Sequence, residues 1–126
     1  MVKAETRPDA LRLPKQVEAA VNAAEDKKAM DLVVLDLRKT GGFTDYFVIC
    51  SGGNPRQLRA IADSVLEALA SEGVKPAHVE GYDRSDWVLL DYFDFIVHVF
   101  GTETRLFYGL ERLWGNAERV DVPASA

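Results

Sequence analysis

The chain has 126 residues, of which 48% are hydrophobic, and a formal net charge of -5 from 15 Lys and Arg against 20 Asp and Glu. These values are typical of one globular domain and exclude a wholly disordered chain. They also disfavour nonspecific nucleic-acid binding, which relies on a positive surface that neutralises phosphates, and favour a basic protein partner.

The sequence contains no apolar run of the roughly 18 residues that a membrane span requires. Residues 1–10 carry charges of both signs and no apolar segment, unlike a secretory signal, so we expect a cytoplasmic protein. Cys50 is the single cysteine, which excludes an intrachain disulfide and a zinc site built from several thiolates. It lies in an apolar run, where a thiol is a core side chain more often than a nucleophile.

The first part of the chain predicts a flexible tail, a helix and two buried strands. Residues 1–13 are aperiodic and are assigned to the tail. A helix is predicted to begin at Pro14, because apolar residues then recur at helical spacing: Val17, Ala20, Val21 and Ala24. Residues 32–37 and 46–50 are nearly continuous in apolar side chains, so we expect strands inside a sheet with both faces covered.

A glycine-containing loop, residues 51–54, separates the second strand from the clearest helical pattern in the chain. Asn54 is predicted to cap this helix, Pro55 fits its first turn, and Gly73 is predicted to end it in a left-handed conformation. The apolar positions follow helical spacing without a break: Leu58, Ile61, Ala62, Val65, Leu66, Leu69 and Ala70.

The remaining sequence predicts three strands, at residues 77–82, 87–91 and 95–100, and a last helix. The tight connection between the last two strands favours a hairpin. Thr102 is predicted to cap the helix and Gly115 to close it, and residues 116–126 are assigned to a flexible C-terminal tail. The fold prediction is a single α/β domain at 14–115, with a mixed five-stranded sheet and three helices in the order αββαβββα.

No catalytic or metal-binding pattern is visible. The loop at 51–54 precedes a helix, where backbone N–H groups can bind anions, but it lacks the P-loop and dinucleotide-binding motifs, so its glycines are interpreted as turn residues. A nucleotidyltransferase metal site needs two carboxylates on one strand face, and the spacing of Asp91 and Asp94 does not provide it. His78 and His98 lack a second histidine at a ligand spacing, so His98 is interpreted as a core or sheet residue.

Residues 80–95 combine acidic and aromatic side chains. The acids, offset by one arginine, are Glu80, Asp83, Asp86, Asp91 and Asp94. The aromatic residues among them are Tyr82, Trp87, Tyr92 and Phe93. Strand alternation places Trp87, Leu89 and Asp91 on one face and Val88, Leu90 and Tyr92 on the other. Two interpretations stay open: an aromatic hot spot with an acidic rim for a basic partner, or a core tryptophan beside solvated turns.

Seven blocks of this sequence occur in the order found in the Iojap-like ribosomal silencing factors, a family that the chain resembles from about Pro14 to Trp114. The blocks are DLVVLD (31–36), FTDYFVICSG (43–52), RQLRAIA (56–62), VEG (79–81), WVLLD (87–91), DFIVHVF (94–100) and RLFYGLERLW (105–114). The chain departs from the family pattern at Phe93, where glycine usually precedes the second acid of the hairpin.

The resemblance implies a nucleotidyltransferase-like fold without catalytic residues or a cofactor, and therefore a protein that is not an enzyme. It implies a translation repressor that binds the large ribosomal subunit through its basic intersubunit-face protein numbered fourteen and sterically blocks joining of the small subunit. The residues that it places at or near the contact are Trp87, Leu89, Asp91, Tyr92 and Asp94, with Arg105 and Tyr108 as further candidates. It also implies a homodimer. Two alternatives stay open: a large-subunit assembly factor, and a nucleotidyltransferase-like enzyme that uses the 51–54 loop.

Overall fold

A computed structural model describes residues 13–41, 44–84, 86–109, 115 and 117–120 of the chain. The helices in these residues are α1 (Lys15–Asp26), α2 (Pro55–Ala70) and α3 (Thr102–Tyr108). The strands are β1 (Met30–Asp36), β2 (Tyr46–Gly52), β3 (His78–Glu80), β4 (Trp87–Asp91), β5 (Phe95–Gly101) and β6 (Glu118–Val120). Residues 1–12 and 121–126 of the two predicted tails lie outside the described part of the chain.

The strands form one mixed sheet in the order β3-β4-β5-β2-β1-β6. β2 and β5 are parallel, and the other neighbouring pairs are antiparallel. The predicted α/β sheet with three helices, and the hairpin of β4 and β5, are confirmed. The predicted number of five strands is corrected to six, because β6 lies in the predicted C-terminal tail and pairs with β1. Three residues, of which only Val120 is buried, are too few to show an alternating pattern.

Both faces of the central strands are buried, as their continuous apolar runs predicted. On one face, the helix side, α1 and α2 pack on alternate strand residues such as Val48 and Val97. On the opposite face, the second side, Phe47, Ile49 and Phe100 belong to a separate buried apolar cluster. Every residue of β2 is buried, which is expected for a strand between two neighbours and two packed faces.

The N-terminus of α2 has the predicted capping structure. Asn54 Oδ1 accepts the backbone N–H of Gln57 at 2.8 Å, and Pro55 occupies the first turn. Gly73 follows the helix with a φ of 78°, which confirms the left-handed conformation expected there.

Helix α3 differs from its prediction at both ends. Gly101, in an extended conformation, precedes the helix, and Thr102 is its first residue and forms no side-chain cap hydrogen bond. The helix ends at Tyr108 because Gly109 adopts a φ of 56° and donates its N–H to the carbonyl of Arg105. The predicted closing residue, Gly115, follows residues 110–114, which lie outside the described chain. No helix of the described residues is long and apolar enough to cross a membrane.

Candidate partner-binding site

The end of the sheet at β3 and β4 leaves part of the second side exposed. Along β4, Val88 and Leu90 are fully buried on the helix side, whereas Trp87, Leu89 and Asp91 are half-buried on the second side. The three residues of the neighbouring strand β3 are all exposed. Because Glu80 is paired with Leu89 across the ladder, its carboxylate lies beside an apolar strand surface.

Trp87 is both packed and accessible, so neither of the two sequence interpretations is sufficient alone. Its indole ring stacks on the ring of Phe100, with the centroids 4.9 Å apart and an interplanar angle of 29°. Its Nε1–H donates to Nδ1 of His98 at 3.2 Å. The ring is therefore held by stacking and a hydrogen bond while part of its surface remains open to a partner.

His98 positions Trp87 from within the sheet. It is 4% exposed, and burial lowers its pKa to about 3, so the imidazole is neutral near pH 7. Since Nδ1 accepts the indole hydrogen bond, the proton is assigned to Nε2, which meets no hydrogen-bond acceptor among the described residues. Phe47 contacts the imidazole edge to face, with the ring centroids 4.6 Å apart. This confirms the sequence interpretation of His98 as a sheet residue with a packing role.

A cavity of about 190 Å³ adjoins the exposed side of Trp87. Its lining residues are Glu80, Gly81, Arg84, Asp86, Trp87 and Leu89. Glu80 and Asp86 are exposed carboxylates, and Trp87 supplies an aromatic wall. Arg84 is the one cation among the described residues of the lining, and Oε2 of Glu80 lies 2.6 Å from Nε2 of His78. The exposed Asp86 and the aromatic face of Trp87 are therefore the groups best placed to attract a Lys or Arg side chain.

Gly81 shapes the cavity, although sequence reasoning did not select it. It has a φ of 79°, and a Cβ at this position would lie 1.9 Å from the carbonyl oxygen of Trp87. Only glycine fits this turn, which brings the end of β3 close to the start of β4. The signal in the sequence was weak, because a single glycine after a short strand is common in turns.

Two of the predicted contact residues lie at the far end of β4. Asp91 is half-buried, and its Oδ1 accepts the N–H of Phe93 at 2.9 Å. Asp94 is exposed, and its carbonyl accepts the N–H of Asp45 at 3.0 Å. Trp87, Leu89, Asp91 and Asp94 are thus accessible, as a partner contact requires.

Tyr92 is a core residue, so its burial argues against a direct side-chain contact, and its assignment to the contact stays a prediction. It is 7% exposed on the helix side, and its ring stacks on Phe95 with the centroids 4.9 Å apart. Burial raises the pKa of its hydroxyl to about 12. The alternation of β4 continues through Tyr92, which places its ring on the same side as Val88 and Leu90.

Arg105 and Tyr108 are placed differently from the β4 residues. Arg105 is 8% exposed, and its guanidinium donates to the hydroxyl of Ser51 at 3.0 Å. Ser51 and Trp87 are paired with Phe100 from opposite sides, so they lie two strand spacings, roughly 10 Å, apart. Arg105 therefore ties α3 to β2 and does not line the cavity beside Trp87. Only the backbone of Tyr108 is described, so its side-chain role remains a prediction.

The loop at 51–54 has the structure of a helix-capping turn. The N–H of Gly53 donates to Oε1 of Gln57 at 2.6 Å, and Gln57 also donates through Nε2 to the carbonyl of Lys28 at 3.0 Å. A Cβ on Gly52 would lie 3.0 Å from the backbone of Leu58, so this glycine permits the helix to approach the strand. The N–H of Gly53, which could otherwise bind an anion, is thus engaged within the protein. The described residues contain no cluster of three or more His, Cys, Asp or Glu suited to a metal ion.

The family model described as ribosomal silencing factor during starvation matches residues 10–126. A protein named ribosomal silencing factor RsfS from Halalkalibacterium halodurans is 39% identical over 106 residues, which are 84% of this chain and 91% of that protein. A crystal structure of a Chromobacterium violaceum protein superposes with a TM-score of 0.78 at 33% identity, and the match covers 88% of this chain and 93% of that one.

A mouse protein named mitochondrial assembly of ribosomal large subunit protein 1 is also similar. It is 31% identical over 101 residues, which are 78% of this chain and 44% of the mouse protein. The matched region is therefore less than half of the mouse protein.

Proposed function

This chain belongs to the ribosomal silencing factor family, and from that premise we propose that it represses translation by binding the large ribosomal subunit. In this proposal it occupies the face that meets the small subunit and sterically blocks joining. The observation that carries the proposal is the open apolar surface of Trp87 and Leu89, rimmed by carboxylates. No chemical step is required, because affinity and position are sufficient for a steric block.

The proposed partner is the basic protein numbered fourteen on the intersubunit face, which the family resemblance implies. A net charge of -5 favours encounter with a basic surface, and complementary charges also set the orientation of the two proteins. The cavity beside Trp87 supports this partner, because Glu80 and Asp86 flank an aromatic wall that attracts a Lys or Arg side chain. An aromatic anchor inside a polar rim is typical of protein-binding hot spots.

The direct test uses purified protein with isolated large and small subunits. We expect the protein to co-sediment with the large subunit and not with the small subunit. It should lower the light-scattering signal of subunit joining in proportion to the fraction of large subunits that it occupies. Binding to the large subunit without any effect on joining would refute the steric block. Failure to bind either subunit would refute the ribosomal role altogether.

We predict that Trp87→Ala weakens large-subunit binding by about 2 kcal/mol or more, roughly thirtyfold in Kd. Asp86→Lys should also weaken binding, because it replaces an attractive charge with a repulsive one at the cavity. The matched control is Glu67→Lys, which makes the same charge change at an exposed position of α2 on the helix side. Circular dichroism and thermal melting should show that all three variants remain folded, since Trp87 is only half-buried and the acids are exposed.

A role in large-subunit assembly is the second candidate, and the name of the mouse relative favours it. The two functions predict the same partner and differ in timing. Repression predicts binding to mature large subunits when growth slows, whereas assembly predicts binding to large-subunit precursors during rapid growth. Gradient sedimentation of cell extracts from both growth phases, with the protein followed by immunoblot, distinguishes them.

We propose further that the protein is not an enzyme. The engaged N–H of Gly53 and the helix-capping role of Asn54 support this proposal, because a phosphate-binding loop needs its amides available. A thermal shift produced by a nucleotide with magnesium would contradict it. We also propose a homodimer on the basis of the family resemblance, which the solution mass from light scattering tests.

A further inference from the structure

The turn between β4 and β5 presents a large aromatic side chain in an unfavourable backbone conformation. Phe93 has a φ of 72°, in the left-handed region that a Cβ disfavours, and 74% of its surface is exposed. The phenyl ring contributes little to the core, so packing within the protein does not explain why a large aromatic residue occupies this position. Strained backbone conformations cluster at functional and ligand-binding sites, and at Phe93 the strain coincides with an exposed aromatic side chain.

Hydrogen bonds on both sides of Phe93 fix this conformation. Its N–H donates to Oδ1 of Asp91 at 2.9 Å, and its carbonyl accepts the hydroxyl of Thr44 at 2.7 Å. The N–H of Asp94 donates to the carbonyl of Tyr92 at 2.9 Å, which closes a tight turn with Phe93 at its centre. Thr44 is itself 4% exposed, so the turn is anchored to a buried position just before β2. The backbone of the turn is therefore fixed before any partner binds, with the phenyl ring exposed on it.

The surroundings of the ring define the chemistry of its partner. Asp45 and Asp94 are exposed, and Asp91 is half-buried, all within the bonded network of the turn. These carboxylates repel phosphates and favour Lys and Arg, which argues for a protein and against RNA. Asp91 also lies on the second side of β4, as do Trp87 and Leu89, so the turn continues the candidate site.

We propose that Phe93 is a specificity-determining contact residue whose ring inserts into an apolar pocket with a basic rim on the protein partner of β4. This inference rests on the proposed function, because it assigns Phe93 to the same large-subunit contact. The aromatic ring adds buried apolar area, and the fixed turn lowers the entropy lost when the ring is immobilised. Relatives with glycine at this position would lack this contact.

The test compares Phe93→Asn and Phe93→Gly with the wild-type protein in titrations against purified large subunits. Asparagine and glycine tolerate positive φ, so both variants should melt at the same temperature as the wild type or higher. We expect Kd to rise at least tenfold in both, whereas Phe93→Tyr, which keeps the ring, should stay within about threefold of the wild type. A gain in stability with a loss of affinity is not what a merely structural residue would produce.

The affinity of Phe93→Asn is compared with that of Trp87→Ala in the same preparation. If Trp87→Ala weakens binding as predicted and Phe93→Asn does not, the role of Phe93 is overturned and the proposed function stays intact. Absence of wild-type binding would overturn both. Ring-dependent binding to protein-free ribosomal RNA would overturn the assignment to a protein pocket.

Discussion

Acid should destabilise this protein over a pH range set by His98. The imidazole is buried and neutral, with its pKa lowered by burial to about 3 from 6.5. In the unfolded chain the same group takes up a proton below about pH 6.5. Because the unfolded state then binds more protons than the folded state, the free energy of unfolding decreases as the pH falls from 6.5 toward 3.

The magnitude follows from the two pKa values. Each pH unit in this range removes up to about 1.4 kcal/mol, so the loss between pH 7.5 and 4.5 approaches roughly 3 kcal/mol. At pH 4.5 the loss of stability depends little on the pKa of His98 in the folded protein, provided that this pKa lies below about 4. Asp36, whose pKa is lowered mainly by its hydrogen bond from Arg38, acts in a separate range: its contribution is lost only as the pH falls below 3.8. A loss of this size is a large part of the about 5–15 kcal/mol that stabilises a typical domain.

The assay is urea denaturation followed by circular dichroism at intervals from pH 7.5 to 4.5. We expect the free energy of unfolding of the wild type to fall with this slope. For His98→Gln it should change little with pH below 6.5, whatever the absolute stability of the variant. An unchanged slope in His98→Gln would refute the assignment of the acid sensitivity to the buried imidazole.

Two further substitutions test local features. Asn54→Ala removes the side-chain cap of α2 and should lower the free energy of unfolding by about 1 kcal/mol, as measured in urea, whereas an unchanged midpoint would show that the cap is unimportant. Tyr92→Phe removes a buried hydroxyl that has no hydrogen-bond partner among the described residues. It should leave stability within about 0.5 kcal/mol or raise it, with large-subunit binding unchanged; a tenfold loss of affinity would return Tyr92 to the contact.

Elements with long and regular patterns could be predicted from the sequence. Helix α2 has an unbroken apolar period and a capping asparagine, and the structure places Asn54 and Pro55 as expected. Strand β6 could not be predicted, because a short strand is stabilised by the edge that it pairs with and not by its own residues. The end of helix α3 could not be predicted for a similar reason. Glycine occurs both inside helices and at their ends, and it is the left-handed backbone conformation of Gly109 that ends this one.

The composition of the candidate site could be predicted from the sequence, but the face of β4 that is exposed could not. Strand alternation correctly predicted that Trp87, Leu89 and Asp91 share one face of β4. It could not predict which face is buried, because both faces carry large apolar side chains. Packing of the two long helices on one face decides which residues are accessible, and that depends on the whole sheet. Tyr92 lies next to exposed residues in sequence, but its ring continues the buried face of the strand, which composition alone does not reveal.

Trp87 and Phe93 are both held in place by bonds to residues that lie away from the exposed surface. His98 accepts the indole N–H from within the sheet, and buried Thr44 donates to the backbone of Phe93. An aromatic side chain already ordered in the free protein loses less entropy on binding, so more of its buried area appears as affinity. In the proposed complex, two preorganised aromatic contacts at the two ends of β4 would also fix the orientation of the partner, which one contact alone would not do. For a protein proposed to act by steric exclusion, orientation matters as much as affinity, since a bound molecule that can rotate does not block a second surface.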